Sequence, residues 1–115
     1  MIAAVREVVE AGLANRLNSV SFVAICRRHS FEPKALADHV AVSMAMEYMA
    51  GERTFEEAAA VVDGLYHPML EAAPDAHRAQ RVCAAFDAGQ YPLSEDGAWN
   101  EEKTRRLLAV EGIVA

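Results

Sequence analysis

Between Pro33 and Ala50 the chain reads PKALADHVAVSMAMEYMA, and apolar residues occupy most of the circumference that a helix over this stretch presents. One narrow line of Asp38, His39, Ser43 and Glu47 interrupts them and predicts the strip left to water. A helix apolar on nearly all sides needs neighbours on several sides. This segment therefore predicts the hub of a small bundle, started by Pro33, whose missing amide hydrogen is no loss in the first turn, and ended by Gly51.

The rest of the chain carries the same period. Val5, Val8, Val9, Gly12 or Leu13, and Leu17 predict an amphipathic first helix over residues 2–17, after which Asn18 and Ser19 offer a break and a new cap. Val20, Phe22, Val23, Ile25 and Cys26 predict a second helix to about His29, with Arg27 and Arg28 at the dipole's negative end. Thr54 and Glu57 have capping-box spacing and open a helix over roughly 54–67, which Pro68 is expected to kink or stop, the pattern leaving open whether Met69 to Ala73 continues it. Pro74 and Asp75 open a fifth segment with Ala79, Val82, Cys83 and Phe86 inward and Gly89 as its end. In the turn-rich QYPLSEDGAWN that follows, Tyr91, Leu93 and Trp99 are expected to fold back on the body. A last helix runs from about Trp99 or Asn100 to Val110. No stretch alternates like a strand, so the fold class is all-α: a single domain over residues 1–115, an irregular bundle of five or six helices around the segment 33–50.

Composition adds compartment and charge. The net charge is −6: residues 1–50 carry five basic and five acidic side chains, residues 51–115 six against twelve. An acidic half repels a phosphate backbone, while the neutral half leaves room for a local basic patch. The first residues lack the uninterrupted apolar core of a leader or span, and Cys26 and Cys83 sit among apolar neighbours, so a cytoplasmic protein with two reduced, buried thiols and no membrane partner is expected.

One local pattern suggests a function. Ile25 to Leu36, ICRRHSFEPKAL, resembles the helix-turn-helix of transposase-like and other small DNA-binding domains. The resemblance implies Cys26 at the small buried site of the first helix, Ser30 at the usual glycine site, Phe31 at the apolar turn site and Leu36 facing inward. It makes residues 21–40 the DNA-docking unit and Arg27, Arg28 and Lys34 its nucleic-acid contacts. The would-be recognition helix departs from the pattern in turning Glu32 and Asp38 outward, where Arg, Lys, Asn or Gln usually read bases and phosphates.

Other chemistry is sparse. Cys26, His29 and His39, or Asp63 with His67, could be drawn as ligands, but no HExxH or CxxC accompanies them and no metal or cofactor is expected. His39, Ser43 and Glu47 lie along one helix, where they cannot surround a substrate, and no glycine turn supplies an oxyanion site, so an enzyme is not expected. Glu101 with Arg105 and Glu102 with Arg106 read as helix-surface pairs. Met44, Met46 and Met49 with Tyr48 cluster late in the hub helix, where adaptable side chains suit either a core or a subunit interface. Together these point to a non-enzymatic interaction or regulatory protein, self-associating as a homodimer through the methionine cluster or meeting another protein. DNA binding through residues 21–40 is the alternative.

Overall fold

The structure, a computed structural model, describes residues 2–90, 96, 98–110 and 112. Its elements are α1 (Ile2–Leu13), α2 (Ser19–Arg28), α3 (Pro33–Met49), α4 (Phe55–Ala72), α5 (His77–Gln90) and α6 (Glu101–Val110), with no strand among the described residues. One connected hydrophobic cluster draws on all six helices. No helix among the described residues is long and apolar enough to cross a membrane. Tyr91 and Leu93 lie outside the described residues.

Most helix ends follow local chemistry. Asn18 caps α2 by accepting from the Ser21 amide at 2.9 Å, and the Ser21 hydroxyl accepts from the Asn18 amide at 2.9 Å. Thr54 and Glu57 close the expected box on α4 in the same reciprocal way. Gly51 ends α3 with φ +78°, and Glu101–Arg105 and Glu102–Arg106 form their i,i+4 pairs at 3.8 and 2.9 Å.

Packing corrects three expectations and decides a fourth point that the chain left open. α1 stops at Leu13 because Asn15 takes a left-handed backbone, φ 56°, and the amides of Asn15 and Arg16 turn back to the carbonyls of Gly12 and Ala11. Leu17 keeps the helical spacing in sequence because it returns to the core after the turn.

α4 continues through Pro68 to Ala72. A proline inside a helix costs about 3 kcal/mol, but Leu65, Pro68 and Met69 are all buried, and each large apolar side chain so covered returns about 1.5–3 kcal/mol. The hub is consequently shared: α3 packs on α1, α2, α4 and α5, and α4 packs on α1, α2, α3 and α5.

Gly89 does not terminate α5 as a cap. It is the last helical residue but one, buried against the start of α6: the Asn100 amide donates to the Gly89 carbonyl at 2.7 Å, and the Thr104 hydroxyl donates to the Ala85 carbonyl at 2.7 Å. A Cβ on residue 89 would overlap Thr104 Oγ1.

Asp38 is not left to water. It is half-buried, and its Oδ1 accepts from the Ala79 amide at 2.9 Å, so a carboxylate from the middle of the chain caps the start of α5. Carboxylates favour that end through the orphan amides and the dipole. Asp38→Ala is expected to lower stability by about 1 kcal/mol in urea unfolding, with Asp38→Asn retaining most of it because the acceptor survives. Equal losses for both variants would discard the cap.

Candidate functional site

The outward face of α3 differs from the one the polar line suggested. Leu36, Ala37, Val40, Ala41, Met44, Ala45 and Tyr48 form the buried side, and the positions most open to solvent are Lys34, Ala35, His39 and Met46. Ser43 and Glu47 are half-covered beside α1, and Asp38 is covered by α5. Of the residues proposed as an interface, Met44 and Tyr48 are core, 1% and 3% exposed, and Met49 packs against the core. Met46 alone faces out, 54% exposed. Methionines two positions apart point about 200° apart around a helix, so the four cannot share a surface.

Tyr48 anchors instead an internal aromatic group. Its ring meets Phe55 at 5.7 Å and Phe86 at 5.4 Å, and its hydroxyl donates to Glu101 Oε1 at 2.8 Å, with the Arg105 guanidinium 5.3 Å from the ring centre. Burial, helped by the Glu101 hydrogen bond and charge, pushes the phenol up to about 12. It is a locked structural donor at neutral pH.

Two grooves remain. One, about 400 Å³, runs between α1 and α3: Ile2, Val5, Arg6 and Leu13 on one side, His39, Ser43 and Glu47 on the other. Arg53 also lines it, its Nε 3.5 Å from a Glu47 oxygen. Among the described residues no hydrogen bond joins His39 to Ser43 or Ser43 to Glu47. With Glu47 committed to Arg53, the line lacks the nucleophile–base contact that a relay requires.

The second groove, about 640 Å³, lies between α4 and α5, with Asp63, Tyr66 and His67 facing Cys83 and Asp87. Partial burial raises the Asp63 carboxyl, the neighbouring Asp87 adds to the rise and a hydrogen bond from Gln90 opposes it. Burial, with the Asp63 charge beside it, pushes the Cys83 thiol up to about 12. Since the thiolate is the nucleophile and the metal ligand, this thiol is held in its unreactive form. Cys26 and Cys83 are both free and buried. Among the described residues no three of His, Cys, Asp and Glu gather as a metal set.

The Ile25–Leu36 corner is a tight turn between α2 and α3. Ser30 is left-handed at φ 58°, the Phe31 amide returns to the Cys26 carbonyl at 2.9 Å, and Cys26 and Leu36 are buried. Its cations are less available. Arg28 Nη1 donates to both Glu7 carboxylate oxygens at 2.9 Å, and His29 Nε2 lies 3.3 Å from the same carboxylate, so α1 holds the end of α2. Arg27 and Lys34 are exposed.

No protein-family model, curated protein or solved structure matches this chain.

Sequence reasoning passed over Ile2, Arg6 and Glu10 of α1 and grouped Leu13 with the inward residues, whereas Gly12 is the buried one. Ile2 is 76% and Leu13 43% exposed on the outer side of this helix, with Arg6 and Glu10 exposed between them. The signal was present: Ile2 and Leu13 are 11 residues apart, about three turns, and so lie on one stripe. Val5 and Val9 mask it, because they mark the adjacent inward stripe and make the helix look fully accounted for.

Proposed function

We propose that this is a non-enzymatic interaction protein that associates with a second copy of itself through the face formed by α1 and α3. The observation that carries the reading is that the exposed apolar side chains Ile2 and Leu13 border the open groove between α1 and α3, with Met46 exposed elsewhere on α3. Scattered exposed apolar residues are ordinary, but several bordering one concavity mark an interaction surface. A homodimer places the same patch on both sides of one two-fold contact. A cytoplasmic location belongs to the same proposal, because two free buried thiols suit a reducing compartment.

Sedimentation equilibrium tests it. The expected result is a concentration-dependent rise to twice the 12.5 kDa protomer mass. Met46→Asp is expected to weaken association about tenfold or more, the effect of losing one well-buried anchor. A strict monomer at every concentration overturns the reading.

The left-handed Ser30 turn favours a second reading, duplex DNA binding through residues 21–40 with Arg27, Arg28 and Lys34 as phosphate contacts. Against it stand Glu7 on Arg28 and the acidic Glu32 beside Lys34. Adding a labelled duplex to the same cell at low salt decides between them. Binding that is lost with salt and with Arg27→Ala/Lys34→Ala supports DNA; a duplex that sediments alone removes it.

A further inference from the structure

Two charges on α1 that have no side-chain partner among the described residues bear on how two copies of this chain would meet. Arg6 and Glu10 sit one turn apart on the outer side of α1, both exposed, and among the described residues neither side chain makes an ion pair or hydrogen bond. The order explains why they ignore each other: an acid four residues before a base is the favourable arrangement on a helix, and here the base comes first. Glu7, by contrast, is occupied by Arg28.

The charges and the exposed apolar residues are symmetric about one point. In an antiparallel pair of identical helices, each residue faces the one equally far on the other side of the two-fold axis. Ile2 and Leu13 have their midpoint at the level of Val8, to within half a residue, and so do Arg6 and Glu10. A single axis there sets Ile2 against the second copy's Leu13 at both ends. It sets Arg6 against the second copy's Glu10 twice at the centre. Resting on the self-association reading, we infer that the second copy docks by antiparallel pairing of α1 with its counterpart, and that the Arg6–Glu10 exchange fixes the register.

The pairing needs α3 as well. A 12-residue helix is about 18 Å long, too short to cover alone the roughly 800 Å² per partner of a stable interface. The groove toward α3 supplies the remainder, receiving the second copy's Ile2 and Leu13 beside His39 and Ser43.

Charge reversal tests the inference, read by sedimentation at low salt with circular dichroism on each variant as the folding control. Arg6→Glu alone and Glu10→Arg alone each put like charges opposite one another and are expected to raise the dimer dissociation constant at least tenfold. Mixing the two variants sets every charge against its opposite and is expected to restore a dimer made of one of each. The double variant Arg6→Glu/Glu10→Arg is expected to dimerise by itself. If the wild type dimerises and the single reversals dimerise equally well, or if mixing restores nothing, the α1 pairing is overturned while self-association stands. A monomeric wild type overturns both.

Discussion

Phe86→Ala is expected to lower the unfolding free energy by about 3–5 kcal/mol, the cost of removing a fully buried aromatic side chain. Phe86 is 0% exposed, and its ring lies 5.4 Å from Tyr48 and 5.6 Å from Phe55, so it joins α3, α4 and α5 at one point. Phe55 carries the contact outward to Trp99 at 5.8 Å. Each aromatic pair adds about 0.5–1.5 kcal/mol beyond area, and domains of this size have only about 5–15 kcal/mol in all. Urea unfolding measures the loss. Phe86→Leu, which refills part of the space, is expected to lose less than half as much. A loss below about 1 kcal/mol for the alanine variant would be inconsistent with a cavity term of this kind and would mean that the three rings are not packed as described.

Gly89→Ala gives the sharper test because two principles predict opposite signs. Helix propensity alone makes alanine better than glycine by about 1 kcal/mol in a helix interior. Here a Cβ would overlap Thr104 Oγ1 and sit 3.0 Å from the Asn100 carbonyl oxygen and 3.2 Å from Phe55 Cζ. Thr104 cannot swing aside freely, since it is 0% exposed and its hydroxyl is bonded to Ala85. Overpacking of this kind costs about 1–3 kcal/mol, and the variant is expected to unfold at lower urea than the wild type. Adding Thr104→Ala removes the worst overlap and is expected to return part of the loss, a coupling that a double-mutant cycle reads directly. Gly64 serves as the control: its Cβ would meet Leu17 at 3.6 Å, an ordinary contact, so Gly64→Ala is expected to be neutral or stabilising. A stabilising Gly89→Ala would mean that α5 and α6 do not approach as closely as described.

Gly89 and Asp38 show where reading the chain stops short. Gly89 sits where a helix would be expected to end, and punctuation by glycine is the common case. Its actual role, admitting Thr104, depends on a helix that begins 12 residues later. Asp38 reads as part of a polar strip because a carboxylate on an apolar helix normally seeks water. Its partner is an amide 41 residues on, and no local pattern encodes that. The methionine cluster failed for a related reason: with apolar residues all round α3, no polar marker showed which of Met44, Met46 and Met49 faces out.

The candidate face was legible in part. His39, Ser43 and Glu47 were visible as a line, but only the placement of α1 made them one wall of a groove. Ile2, Arg6, Glu10 and Leu13 supply the other side, and their symmetry about Val8 is written in the chain. It gains meaning only once the inward stripe of Ala4, Val8, Val9 and Gly12 is seen to be satisfied by the body of the protein. The outer stripe is then surplus.

The chain by itself determined the all-helical class, the six segments, the Thr54 and Gly51 boundaries and most of the inward residues. These follow from periodicity, capping and propensity, which act over a few residues. Tertiary structure alone decided that α4 passes through Pro68, that α3 and α4 share the centre, that Asp38 caps α5, that Gly89 is a point of contact and that the α1–α3 face stays open. Each of these is a balance between a local preference of about 1–3 kcal/mol and burial or hydrogen bonding supplied by residues distant in sequence, so it is settled only when the helices meet.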